Sequence, residues 1–136
     1  MAGLRLVLVA ACALIDREGR VLIAQRPAGK SMAGLWEFPG GKVEADERPE
    51  QTVIREMREE LGVTIEECSL IPSTFASYSY PDFHLLMPLF LCRHWEGAIA
   101  PTEGQNVAWV KPEELGRYPM PPADAPLIPM LRKLLV

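Results

Sequence analysis

Residues 40–63 read GGKVEADERPEQTVIREMREELGV, and the fold of the whole chain turns on how this stretch is read. On an α-helix Glu56, Glu59 and Glu60 stand at i, i+3 and i+4, so three carboxylates crowd one face. Val53, Ile54, Met57 and Leu61 fall on the opposite side at about 100° per residue, the spacing of a core-facing stripe. Pro49 suits a first helical turn, where its missing N–H is not needed, and Gly62 suits a left-handed cap. The spacing therefore predicts a helix over 49–61. Alone, the charged run reads as a solvated face with Arg55 and Arg58 as counter-ions. Behind Pro39-Gly40-Gly41, whose glycines let backbone turn tightly and approach a ligand, it reads as a set of hard oxygen donors. Mg²⁺ accepts such donors, usually beside substrate phosphates.

Before this stretch, residues 4–15 are almost wholly apolar and predict a central strand buried on both faces. Val9-Ala10-Ala11-Cys12 imitates a lipoprotein cleavage site, but the apolar run ahead of Cys12 is short for such a leader and for a bilayer span. A buried strand in a cytoplasmic enzyme is the expectation. Residues 16–19 form a turn, and 20–25 are expected to pair back on the first strand. Residues 27–35 are a flexible stretch, and Trp36-Glu37-Phe38 is a short strand leading into the glycine turn. Arg26, at the end of the second strand, is either a solvated strand end or a cation facing phosphates or base.

After the helix, residues 69–80 and 84–95 read as two strands joined at Pro81-Asp82-Phe83, with Pro88 implying an edge position or a bulge. Residues 107–110 form a strand and 112–115 a helical turn. Residues 127–135 have helical apolar spacing, with Pro129 placing the helix start close to itself, and Asp124 is a possible N-cap. A mixed sheet with one helix on each face, an α/β/α layering, follows.

Composition narrows the function. The 136 residues make one domain, 1–136, large enough for a core, and a net charge of −4 disfavours a nucleic-acid polymer as partner. Cys12, Cys68 and Cys92 lack C-x-x-C spacing and sit in apolar contexts, so they read as small buried hydrophobes. With only His84 and His94 present, a histidine metal site is not expected.

The 41–63 segment resembles the Nudix box, with Gly41, Glu47, Arg55, Glu56, Glu59, Glu60 and Gly62 at its seven fixed positions. Met57 and Val63 fill its aliphatic ones. At residue frequencies near 7%, such a match arises by chance with odds of roughly 10⁻⁸ at a given start. The segments Ala24-Gln25-Arg26, Trp36 to Lys42, Tyr80-Pro81-Asp82, Glu103-Gly104-Gln105 and Pro121-Pro122-Ala123 are similar to the MutT branch.

That resemblance implies the Nudix fold and Mg²⁺-dependent hydrolysis of 8-oxo-dGTP to monophosphate and pyrophosphate in nucleotide-pool sanitation, with Mn²⁺ as a substitute. It implies metal ligands at Glu56, Glu59, Glu60, Glu103 and the Gly40 carbonyl, with Glu47 and Arg55 supporting them. Substrate contacts are implied at Arg26, Phe38, Lys42, Asp82 and Asp124. Glu56 is the expected base or water-orienting group, with Glu59 as the alternative. The expected partner is a small nucleoside triphosphate, with no membrane, and the enzyme is a monomer or weak dimer.

Two positions depart from the branch. Asp124 replaces an Asn that both donates and accepts, and Phe83 replaces an Arg. A related branch that prefers cytosine nucleotides shares Ala-Gly-Leu-Trp-Glu-Phe and Pro-Ala-Asp, so hydrolysis of CTP or 5-methyl-dCTP is the alternative. A nucleotide-sensing module and an enzyme for ADP-ribose or dinucleoside polyphosphates are further readings, the first disfavoured by a full set of box carboxylates.

Overall fold

The computed structural model describes residues 4–135. Four strands form a mixed sheet in the order β4 (Gly40–Lys42), β1 (Arg5–Leu14), β6 (Phe83–Cys92) and β5 (Leu70–Ser79). A second, antiparallel sheet has the order β3 (Trp36–Glu37), β2 (Val21–Gln25) and β7 (Val107–Val110). Helix α1 spans Pro49–Leu61 and α2 spans Leu127–Leu134. The helix expected over 49–61 and the strand expected over 107–110 form at those bounds.

Alternation along β1 divides the core. Ala10, Cys12 and Leu14 point to one side and pack with Val53, Met57 and Leu61 of α1. Ala11, Ala13 and Ile15 point to the other and pack with Leu127, Ile128 and Leu131 of α2. Small residues at 10–13 leave room for an element on each face, so one strand serves as the midplane of an α/β/α sandwich. Helix α1 ends as its sequence requires. Gly62 adopts φ 70°, and its N–H reaches the Arg58 carbonyl at 3.1 Å.

Several expectations are corrected. Strand β2 does not lie beside β1: apart from one bridge, Ile15 to Val21, it pairs with β3 and β7 in the other sheet. The neighbours of β1 are β4 and β6. Only the second half of β1 is buried on both faces. Leu6 is 62% exposed, because α1 covers the sheet only beyond residue 9. Of the two expectations for Pro88, an edge or a bulge, the edge is wrong: it occupies a central strand, the parallel ladder breaks around it, and β5 opposite shifts register between Pro72 and Thr74. Residues 5–8 pair with 83–86, and 11–14 with 89–92. The pairs between are missing, as a residue without an N–H demands.

Cys68 is exposed, while Cys12 and Cys92 are buried. Asp124 is not an N-cap; Pro126 holds that position, and Pro129 sits in the first turn, where no N–H is needed. Among the described residues no helix is long and apolar enough to cross a membrane.

Strand β4 is pressed against β1 more tightly than a side chain allows. A Cβ at Gly40 would lie 2.1 Å from the Ala10 carbonyl oxygen. Gly40→Ala is therefore expected to lower stability by about 2 kcal/mol or more, read as a lower thermal midpoint by circular dichroism. An unchanged midpoint would show that β4 can move off β1.

Candidate active site

The centre of the site is the guanidinium of Arg55, and its donors are all used. Nε and Nη2 grip the two oxygens of Glu47 at 2.8 and 3.0 Å. Nη1 donates to Glu56 Oε1 at 2.6 Å and reaches Glu59 Oε2 at 3.4 Å. Nη2 also donates to the Lys42 carbonyl at 3.2 Å. One side chain thus joins the glycine turn, the loop after it and two carboxylates of α1. Thr52, buried in the helix, donates to Glu47 Oε1 at 2.6 Å. Arg55 and Thr52 together hold the Glu47 carboxyl down to about 2.

Glu56 and Glu60 are in the opposite condition. Burial raises the Glu56 carboxyl above the usual range, against the pull of Arg55. Glu60 rises further, to about 8, through burial first and then the charges of Glu56 and Glu37. Its Oε2 is buried without a hydrogen-bond partner. The Glu56 carboxyl fills the space above Gly41, where a Cβ would come within 2.5 Å of the Glu56 Cδ. Gly41 is therefore required by the acid that faces it.

A second loop brings a fourth carboxylate. The last carbonyls of α1 accept hydrogen bonds from residues 100–105: Ala100 N–H to Leu61 O at 2.8 Å, Thr102 N–H to Glu60 O at 3.0 Å and Gln105 Nε2 to Glu60 O at 3.2 Å. This docking carries Glu103 to the wall of a cleft of about 330 Å³ that also includes Arg26, Lys30, Glu37, Gly40, Glu56, Glu59 and Glu60. Every position expected to hold a metal lies on this one wall.

The described residues include no three His, Cys, Asp or Glu side chains already gathered at metal-holding distance, since Arg55 draws Glu56 and Glu59 toward itself. The donor set nevertheless fits a hard divalent cation. It consists of carboxylate oxygens and a backbone carbonyl, one buried oxygen has no partner, and burial, followed by like charge, raises Glu60.

Of the expected substrate contacts, Arg26 alone is on this cleft, and Phe38, Lys42, Asp82 and Asp124 are not among its lining residues. Arg26 has Nη1 on both Glu37 oxygens at 2.9 and 3.1 Å and Nε on the Ser31 carbonyl at 2.7 Å. Phe38 is buried in the α2-side core, and Asp82 and Lys42 are exposed. Asp124 is 6% exposed, and its Oδ2 accepts from the Phe38 N–H at 3.2 Å. Burial, with Glu37 close by, lifts its carboxyl to about 7. Tyr80 stacks on Phe83 at 5.0 Å, and burial, with the charge of Asp124 adding to it, raises the Tyr80 hydroxyl. The sequence reading gave no role to Thr52, Thr102, Gln105 and Glu37; Glu37 and Gln105 fall in family-like segments, and Thr52, a polar residue on the buried side of a predicted helix, left a signal of its own.

A sandwich of this layering, with a glycine turn feeding an acid-rich helix against a second acidic loop, defines a class of phosphoanhydride-cleaving domain. The NUDIX domain family matches residues 10–130, and the chain belongs to it as a hydrolase of phosphoric anhydrides. It is 40% identical over 126 residues to a CTP pyrophosphohydrolase of Escherichia coli (strain K12), covering 85% of this chain and 84% of that one. It is 38% identical over 119 residues to an 8-oxo-dGTP diphosphatase of the same strain, covering 88% and 91%. The solution structure of the E. coli ORF135 protein matches with TM-score 0.83 and 36% identity, over 96% of this chain and 91% of that one.

Asp124 yields a pH test. Its folded carboxyl at about 7 lies above the ordinary value of 3.8, so the folded chain holds this proton more tightly than the unfolded chain does. The stability tied to that proton is full at low pH and lost as pH rises toward 7. Asp124→Asn is expected to raise the thermal midpoint by about 5–10 °C at pH 8.5 and to leave it nearly unchanged at pH 4. Equal shifts at both values would contradict a raised Asp124.

Proposed function

We propose that this chain is a Mg²⁺-dependent nucleoside triphosphate pyrophosphohydrolase, releasing a nucleoside monophosphate and pyrophosphate. The observation that carries this reading is Glu60, a half-buried carboxyl with an unpartnered oxygen beside Glu56, Glu103 and the Gly40 backbone. These four, with Glu59, would hold the ion, Mg²⁺ or Mn²⁺, which when bound supplies neutralising charge to the anhydride oxygens. The protein's own part is to align a water in line with the β-phosphorus. As the P–O bond from that water forms, the bridge to the α-phosphate breaks. Glu56, held on Oε1 by Arg55, has Oε2 for that water and its proton, and Glu59 is the alternate. Arg55 and Glu47 fix their positions.

For the base, Asp124 in its ionised form favours cytosine over the oxidised purine, and that form prevails above the value of about 7 to which burial lifts its carboxyl. An ionised Asp accepts from a cytosine amino group, the pairing carboxylates make with that base. The same carboxylate would face the 6-oxygen of 8-oxoguanine acceptor to acceptor. The 40% identity to a CTP pyrophosphohydrolase agrees with CTP or 5-methyl-dCTP as substrate. The oxidised purine is the second reading, supported by relatives named 8-oxo-dGTP diphosphatase. Both are small-molecule reactions, suited to a cytoplasmic monomer or weak dimer with net charge −4 and no nucleic-acid polymer as partner. The complete set of box carboxylates supports catalysis over sensing alone.

Steady-state kinetics on CTP, 5-methyl-dCTP, 8-oxo-dGTP and dGTP test both parts. Excess EDTA should abolish turnover, and Glu56→Gln should lower kcat by about 10²–10⁴. A cytosine nucleotide should show the highest kcat/KM, and Asp124→Asn should move the preference toward 8-oxo-dGTP. Turnover untouched by EDTA would refute the mechanism, whereas an 8-oxo-dGTP preference would refute only the base.

A further inference from the structure

We propose that Lys30, carried on the 27–35 loop, is the cation that receives the terminal phosphates of the substrate, exchanging its contact with Glu103 for them. The inference rests on the pyrophosphohydrolase reading of the cleft and adds a residue to it. The cleft wall holds five carboxylates, Glu37, Glu56, Glu59, Glu60 and Glu103, and two cations, Arg26 and Lys30. A triphosphate is itself strongly anionic, so a cation free to meet it matters for entry as well as for binding.

Arg26 is not free. Beyond Glu37 and the Ser31 carbonyl, its Nη2 reaches Ser31 Oγ at 3.3 Å, and its backbone N–H and carbonyl pinch the loop shut, to Leu35 O at 2.8 Å and from Gly34 N–H at 3.0 Å. Arg26 thus fastens the loop at its base. Gly29, Met32 and Gly34 all adopt positive φ, at 90°, 56° and 84°, which gives this short loop a defined shape. Lys30 carries the only charge in 27–35, PAGKSMAGL.

Lys30 Nζ lies 3.7 Å from Glu103 Oε2, and the two side chains are 58% and 55% exposed. A long, solvated ion pair is worth little, so giving it up for a phosphate is easy. The contact also spans the cleft, from the 27–35 loop to the loop that α1 anchors. With Glu103 among the residues that would hold the cation, Lys30 would be released from this contact and free to meet the phosphates. The chemical class it recognises is a terminal phosphoanhydride, the part that leaves as pyrophosphate, and not the base.

Lys30→Met and Lys30→Arg separate this from a loop effect. In Lys30→Met, KM for the triphosphate that the wild type turns over best should rise about tenfold with kcat within threefold, the loss of one charge-assisted contact. Inhibition by inorganic pyrophosphate should weaken by a similar factor, inhibition by the nucleoside monophosphate should not change, and Lys30→Arg should recover most of the loss. An unchanged KM, or equal weakening of both inhibitors, would overturn the proposal. Calorimetric binding of inorganic pyrophosphate with Mg²⁺ to wild type and Lys30→Met does not depend on turnover. If the wild type hydrolyses no nucleotide, the catalytic reading falls, and equal pyrophosphate affinity in the two proteins would still refute the role of Lys30.

Discussion

Three carboxylates on one helix face repel each other, and the structure rests on how that repulsion is divided. Arg55 takes the share of Glu56 and Glu59 and ties both to Glu47 and to the Lys42 carbonyl. A planar guanidinium can do this because its donors point in fixed directions, and a lysine at 55 would reach one or two of these partners at most. Glu60 lies outside that network and keeps the remainder, as a raised carboxyl and an oxygen with no partner. The helix is stable with its acids in place, but one acid is left to be satisfied by a ligand.

The surrounding architecture holds that arrangement. Val53, Met57 and Leu61 fix the rotation of α1 on β1, which turns Glu56, Glu59 and Glu60 toward the glycine turn. Gly40 lets β4 sit against Ala10, and Gly41 leaves space for the Glu56 carboxyl. The free carbonyls at the end of α1 then anchor the 100–105 loop, so the same helix that carries three acids positions a fourth, Glu103. Core packing, helix termination and site assembly are one set of contacts.

Local chemistry was legible in the sequence and long-range partnership was not. The 3.6-residue period, Pro49 and Gly62 located α1 because each acts within a turn of helix. The acids at 47, 56, 59, 60 and 103 could be named from spacing and family resemblance; the last four line one cleft, and Glu47 is bound to Arg55. Strand β2 was legible as a strand, but an apolar run does not say which edge it joins, and it pairs with β7 some 85 residues on. Pro88 left an edge and an irregular ladder equally open for a similar reason: a missing N–H forbids one hydrogen bond, and a gap in the ladder satisfies that as well as an edge does. Cys68 followed its 3₁₀ turn to the surface, where a hydrophobicity rule has no purchase. The Asp124 bond to Phe38 and the Lys30 contact with Glu103 each join segments more than seventy residues apart, so no local pattern announces them.

We propose that the acidic face of α1 is a charge arrangement completed by a divalent cation. The most direct measurement is the thermal midpoint of chelator-stripped protein with and without millimolar Mg²⁺ or Mn²⁺, for wild type and for the Glu56→Gln/Glu60→Gln double variant. A ligand that binds the folded state raises its midpoint. The wild type should gain several degrees from the metal and the double variant almost none. An equal gain in both proteins would place the ion away from these carboxylates.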